Sequence, residues 1–170
     1  MARGFGMRHD DQQPDSREKA LLAVRRELGA LPHGWHALHG VRLGGVHIDH
    51  LVMGPAGIVA LTTKFHPRAR VATDGRHMQV NGVGVDHLKH VRIDARRLGG
   101  LFSVGPMDQI PVAGGLVFVG LAECHLTGIE SDTVVTVAGQ LERTMQQLPH
   151  QISASEVAAL AQTVQRLADC

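Results

Sequence analysis

The stretch HIDHLVMGPAGIVALTTKFHP, residues 47–67, constrains the fold of this chain more than any other. Two apolar runs flank the turn GPAG at residues 54–57, and such runs on either side of a tight turn predict two antiparallel strands. Asp49 interrupts the first run and Lys64 closes the second. Charged residues in otherwise apolar strands are candidates for a functional site.

Alternation along the two strands predicts which of these side chains meet. Successive strand residues point to opposite faces, so Asp49 shares a face with His47 and Leu51, and Thr62 shares one with Lys64. Because the turn is short, we expect Asp49 and the end of the second strand, Thr62 to Lys64, to lie on the same side of the hairpin.

The other periodic segments predict an α/β fold with a mixed central sheet flanked by helices. Ser153 and Glu156 form a capping-box pattern at the start of the last helix. The predicted helices cover residues 15–31, 85–102, 139–148 and 153–168, and the predicted strands cover 35–43, 47–54, 58–64, 70–73, 77–81, 112–120 and 132–137.

A length of 170 residues favours one domain. Residues 1–14 are polar and predict a flexible tail. We expect a single domain over residues 15–170. Its core covers about 15–120, and a strand and two helices follow over 132–168.

Composition limits the classes of function. The net charge is +1, so any nucleic-acid binding has to come from a local patch, and 3% aromatic residues argue against a base-stacking platform. Cys124 and Cys170 have no metal-ligand spacing. Neither a signal peptide nor a membrane span is predicted, so we expect a soluble cytoplasmic protein without membrane association.

The order helix, three strands, helix, strand, together with Asp49 and Lys64, is similar to the PD-(D/E)XK nuclease superfamily and its αβββαβ core. The run LPHGWHALHGVRL followed by HIDHLVMGPAGIVALTTKFHP resembles the nuclease-related domain (NERD) family, whose members read Leu-Pro, then IDH, GP and Glu-x-Lys. The later segments look like the actinobacterial-type variant of that family.

The resemblance implies a restriction-endonuclease-like fold and magnesium-assisted phosphodiester hydrolysis. Asp49 would ligate Mg²⁺, and Lys64 would position the attacking water or stabilise the transition state. The family's third-strand glutamate is Thr62 here. A glutamate that many members carry on the first helix falls at Leu21, and Glu18 lies one turn earlier.

Loss of the third-strand carboxylate predicts weak Mg²⁺ binding and weak or absent cleavage, because Thr62 is a neutral and poor ligand. On the same reasoning, Thr62→Glu should restore metal binding. Asp49 has a second interpretation as a structural carboxylate paired with Lys64 across the hairpin, and both interpretations stay open.

Two further patterns offer candidate sites. His47, Asp49 and His66 resemble a two-His-one-carboxylate set, which suits Fe(II), Mn²⁺ or Zn²⁺. A basic stripe follows helical spacing over residues 85–102 and either contacts phosphates or forms a solvated helix face. The stripe consists of Lys89, Arg92 and Arg96, with Arg68 and Arg70 as an extension.

These observations leave three hypotheses. The first is a nucleic-acid-associated domain of nuclease ancestry, binding DNA or RNA, with impaired hydrolase activity. The second is a non-catalytic scaffold that binds a protein partner or a second copy of itself. The third is an enzyme with a histidine–carboxylate metal site.

Overall fold

The computed structural model describes residues 14–103, 107–126, 128 and 132–168, and within them the chain forms helices and strands close to the predicted positions. The helices are α1 (Pro14–Leu28), α2 (His87–Phe102), α3 (Leu141–Gln146) and α4 (Ala154–Ala168). The strands are β1 (His36–Leu43), β2 (Val46–Gly54), β3 (Gly57–Phe65), β4 (Arg70–Thr73), β5 (Met78–Val80), β6 (Val83–Val85), β7 (Val112–Val119), β8 (Glu123–Leu126) and β9 (Thr133–Val137).

The central sheet has five strands in the order β1-β2-β3-β7-β9. The first three are antiparallel neighbours, whereas β7 and β9 run parallel to β3. The succession α1, β1, β2, β3, α2 and β7 reproduces the expected αβββαβ order. The prediction of a mixed sheet flanked by helices is therefore confirmed.

Helices cover both faces of this sheet because each face of its inner strands is apolar. One buried cluster joins α1 and α3 to β2, β3, β7 and β9, and it includes Val24, Val59 and Leu141. Another joins α2 and α4 to β1, β2 and β3, and it includes Ala60 and Leu98. We call these the α1 face and the α2 face.

A second, smaller sheet has the order β6-β5-β4-β8 and packs against the N-terminal half of α2. The hairpin of β4 and β5 was predicted, but β6 and β8 were not. The three residues of β6 read as part of a glycine-rich turn. The sequence of β8 alternates polar with apolar residues over only four positions, and its pairing with β4 supplies the order.

Gly114 of β7 permits the close approach of α2 to the sheet. A Cβ atom at this position would collide with the backbone carbonyl of Val91 on α2. The absence of a side chain in β7 therefore sets the spacing between α2 and the sheet.

The helix ends agree partly with the sequence. Ser153 and Glu156 form the predicted capping box: the Ser153 N–H donates to Glu156 Oε2 at 2.6 Å, and the Glu156 N–H donates to Ser153 Oγ at 3.2 Å. Pro14 begins α1 and so does not belong to the predicted tail, whose other residues, 1–13, lie outside the described part. Within the described ranges, no helix has the length and apolar character needed to cross a bilayer.

Candidate functional site

Gly40 interrupts the regular pairing of β1 with β2. The two strands pair from His36 with Met53 to Leu43 with Val46, but Gly40 (φ +60°) and Asp49, which face each other, are missing from the ladder. A positive φ is a conformation that glycine adopts at little cost. The interruption changes which way β2 side chains point on either side of it.

This change moves Asp49 away from the face that alternation predicts. Ile48 and Leu51 are both buried on the α2 face although they lie three residues apart, so the alternation reverses between them. The expectation that Asp49 shares a face with Leu51 is therefore wrong. Asp49 instead contacts Arg17 of α1, on the other side of the sheet.

The β2–β3 hairpin is open at the end that carries Asp49. Backbone pairing stops at His50 with Leu61, although β2 begins at Val46 and β3 continues to Phe65. We call this open end, residues 46–49 and 62–65, the fork. The Asp49 carboxylate accepts the Thr63 N–H at 2.9 Å through Oδ2 and so replaces a bond that the ladder would otherwise make.

The other oxygen of Asp49 is engaged from α1. Arg17 Nη2 donates to Oδ1 at 3.2 Å, and His47 Nε2 lies 3.9 Å from the same oxygen. The Asp49 side chain is 5% exposed, whereas that of Arg17 is 46% exposed. Both carboxylate oxygens are thus held by donors, one from the backbone of β3 and one from a guanidinium.

The structure brings the predicted Thr62–Lys64 segment to Asp49 through its middle residue. Thr63, whose N–H bonds Asp49, lies between Thr62 and Lys64, and both of these side chains are partly exposed. Glu18, the potential substitute for a first-helix carboxylate, is exposed on α1. It is Arg17, not Glu18, that reaches the fork.

Arg17 was missed as a site residue, although the sequence carries a signal for it. Ala20, Val24 and Leu28 form the buried stripe of α1, and Arg17 lies three, seven and eleven residues before them. That spacing places Arg17 on the buried face of the helix, one turn before Ala20, the first buried apolar residue of the stripe. This spacing identifies Arg17 as a candidate site residue but does not identify its partner.

His50, which is buried next to Asp49, forms a pair with the partly buried His39. Their Nδ1 atoms are 2.8 Å apart, so one ring donates and the other accepts. Burial is the main cause that lowers the pKa of His50 from 6.5 to about 4, so the ring is neutral. His50 Nε2 and Thr63 Oγ1 are buried polar atoms that have no hydrogen-bond partner among the residues that the structure describes.

The alternative histidine–carboxylate set is not assembled. His66 Nε2 lies 3.2 Å from Nε2 of His87, at the start of α2, and the two rings stack. Among the residues that the structure describes, no three His, Cys, Asp or Glu side chains converge in a way that would hold a metal ion. The hypothesis of a site built from His47, Asp49 and His66 is therefore not supported.

The predicted basic stripe on α2 is not presented as one surface. Arg92 is only 15% exposed because its guanidinium donates to Thr133 Oγ1 at 3.0 Å and to the Gly75 carbonyl at 2.8 Å. Lys89 and Arg96 are exposed on either side of it. Arg92 therefore connects α2 to β9 and to the β4–β5 turn, and we remove it from the candidate binding residues.

The two arginines that were predicted to extend the stripe differ from each other. Arg70 Nε forms an ion pair with Glu123 Oε2 at 3.1 Å, which offsets its charge. Arg68 is exposed and adopts a positive φ of 57° in the connection between β3 and β4. Of the pair, Arg68 is the better candidate for a phosphate contact.

The donor set at the fork does not fit a resident Mg²⁺ ion. Magnesium requires oxygen ligands in near-octahedral geometry and is usually bound by one or two carboxylates with free oxygens. Both Asp49 oxygens already accept hydrogen bonds, and Thr62 brings no charge. The Arg17 guanidinium provides the positive charge beside Asp49 that a metal ion would otherwise provide.

A comparison with protein families identifies the group to which this fold and site belong. A family model described as nuclease-related domain matches residues 16–119, more than half of the chain. The chain belongs to the nuclease-related domain family. The match covers the described structure from α1 to the end of β7, which is the αβββαβ core with the fork at its centre. No curated protein and no solved structure matches the nuclease-related domain described here.

Proposed function

We propose that this nuclease-related domain binds nucleic acid at the fork and that magnesium-dependent phosphodiester hydrolysis by it is weak or lost. One observation carries the proposal: both oxygens of Asp49 are taken by N–H donors. A carboxylate paired with a guanidinium attracts a divalent cation weakly, because that cation would meet the positive charge of Arg17. On this proposal the site lies where the family's metal site would lie, but the Arg17 guanidinium occupies the place of the metal ion beside Asp49.

The residues near the fork support an anionic ligand. Lys64 follows Thr63 on β3, and Arg68 lies exposed shortly beyond the end of that strand. Phosphate oxygens accept hydrogen bonds from lysine and arginine and account for most of the affinity of proteins for nucleic acid. Lys89 and Arg96 on α2 remain candidate contacts outside the fork. A nucleic-acid partner agrees with the cytoplasmic location that the sequence predicts.

Binding and cleavage have to be measured separately. Fluorescence anisotropy with labelled single-stranded DNA, duplex DNA and RNA, at low and moderate salt, tests binding. We expect binding that weakens steeply with salt, as for a ligand held through its phosphates. The same substrates incubated with Mg²⁺ or Mn²⁺ and resolved on denaturing gels test cleavage, for which we expect no products or slow accumulation.

The scaffold hypothesis predicts a different result in the same experiments. If no nucleic acid binds at low salt, and light scattering finds a stable oligomer or a co-purified protein, the proposal is wrong and a protein-interaction role takes its place. Assignment to the actinobacterial-type variant rests on the helix at residues 85–102, the strand at 112–120 and the closing segments, and it has no bearing on this test.

A further inference from the structure

We infer that Arg17 binds a single phosphate group of a nucleic-acid backbone at the fork, directly and without a divalent ion between protein and phosphate. The inference rests on the proposed function and assigns its contact. It also reassigns the principal cationic residue, from the predicted stripe on α2 to the first helix.

Among the described residues, the contact with Asp49 uses one nitrogen of the Arg17 guanidinium. A guanidinium has five N–H donors in a planar arrangement, and one nitrogen, Nη2, is directed to Asp49. The side chain is 46% exposed, so part of the guanidinium faces solvent while Asp49 holds it in place. A planar guanidinium fixed by a buried carboxylate is suited to bidentate binding of phosphate oxygens, because little side-chain entropy remains to be lost.

Two side chains of the β1–β2 hairpin lie on the side of the sheet from which Arg17 contacts Asp49. His47 lies 3.9 Å from the Asp49 oxygen that Arg17 contacts, and it is the cross-strand partner of Arg42. Directly paired antiparallel residues project from the same face of a sheet, so Arg42 lies on the same side as His47. Both side chains are exposed. Arg17 of α1 and His47 of the hairpin therefore approach the same oxygen of one buried carboxylate, and Arg42 lies on the same side of the sheet as His47.

The local charge favours an anion of limited extent. Arg17 and Arg42 carry positive charges on exposed side chains, whereas the negative charge of Asp49 is buried. Glu18, the neighbour of Arg17 on α1, is exposed and offsets part of this charge. We therefore expect one phosphate contact at the fork and not a long basic track.

The test is anisotropy with a short labelled DNA oligonucleotide in EDTA, comparing the natural protein with Arg17→Gln. Loss of one fixed phosphate contact should weaken binding about tenfold and reduce the magnitude of the salt slope by about one. Arg26→Gln is the matched control, because Arg26 is an exposed arginine on the outer side of the same helix. We expect it to change the affinity by less than about twofold.

Arg42→Gln keeps the test valid if Arg17→Gln fails to fold, which circular dichroism and thermal melting will show. Arg42 is exposed, so its replacement should leave folding intact and weaken binding about threefold.

Equal losses for Arg17→Gln and Arg26→Gln would overturn the inference and leave the proposed function standing. So would DNA binding that occurs only when Mg²⁺ is added. Absence of DNA binding by the natural protein, with and without Mg²⁺, would overturn both.

Discussion

The buried carboxylate of Asp49 is structural as well as part of the fork. It satisfies the buried N–H of Thr63, which the β2–β3 ladder leaves without a partner. An unsatisfied buried donor costs on the order of 1–3 kcal/mol. The same residue thus joins the two strands at the point where their pairing stops and orients Arg17.

Asp49→Ala should therefore destabilise the domain by about 2 kcal/mol, whereas Asp49→Asn should cost less than ~1 kcal/mol, because its amide oxygen can still accept the Thr63 N–H. Arg17 is half exposed, so losing its ion pair adds little once solvent screens the charge. Urea denaturation measures both variants, and the slope with denaturant should not change. Equal destabilisation by the two variants would show that charge, and not the hydrogen bond to Thr63, is what matters.

His50 makes stability depend on pH. Its pKa of about 4 in the folded protein lies below the ordinary value of 6.5, so the unfolded chain binds a proton more readily between these values. The contribution of neutral His50 to the free energy of unfolding is therefore fully present above pH 6.5 and is lost as the pH falls toward 4. From pH 7 to pH 5 the loss attributable to His50 is about 2 kcal/mol.

A comparison of the natural protein with His50→Gln isolates this contribution. Denaturation at pH 7 and pH 5 should show a smaller decrease in stability for the variant. His39 titrates in the same direction, since burial lowers its pKa too, so some pH dependence will remain in both proteins. If both proteins lose the same stability on acidification, His50 is not the neutral buried group described here.

At the scale of elements, Arg92 connects three parts of the fold. Its guanidinium joins α2 to Thr133 of β9 and to Gly75 in the turn between β4 and β5. Hydrogen bonds from a charged, largely buried donor contribute roughly 1.5–3 kcal/mol. The small sheet depends on such contacts because its strands are short.

Arg92→Gln should lower the free energy of unfolding by about 2 kcal/mol and leave DNA affinity nearly unchanged. Lys89→Gln is the control on the same helix, because Lys89 is exposed and its replacement should not affect stability. Thermal melting and DNA anisotropy on both variants test this assignment. A stable Arg92→Gln protein with reduced DNA affinity would restore the basic stripe as a binding surface.

The sequence predicts elements better than it predicts the orientation of their residues. Apolar runs around the GPAG turn place β2 and β3 within a residue of their observed ends. The reversal at Gly40 is not predictable from β2 alone, because its cause lies in the neighbouring strand. For the same reason the contact between Arg17 and Asp49 emerges only when α1 is packed on the sheet.

At the scale of the whole molecule, the domain has the core of its family, and its proposed function depends on a change at the fork. The family match and the αβββαβ order agree on the ancestry. The loss of the third-strand glutamate can be read from Thr62 in the sequence, whereas the contact between Arg17 and Asp49 cannot. Thr62→Glu alone should not restore metal binding, contrary to the expectation from the sequence. The new carboxylate would leave Arg17 in place beside Asp49, so a second substitution, at Arg17, is also needed.

The double variant Thr62→Glu/Arg17→Gln should bind Mn²⁺, because it combines a second carboxylate with a released Asp49. Thr62→Glu/Arg26→Gln, which has the same net charge, should bind far more weakly. The difference between these two proteins reports the effect of Arg17 and not of total charge.

The most direct test of whether Arg17 takes the place of a metal ion at the fork is isothermal titration calorimetry with Mn²⁺. The proteins compared are the natural protein, the two double variants and Asp49→Asn. We predict no saturable binding by the natural protein or by Asp49→Asn, and one site in Thr62→Glu/Arg17→Gln. One Mn²⁺ site in the natural protein that disappears in Asp49→Asn would contradict the account, because Asp49 would then be a metal ligand in spite of Arg17.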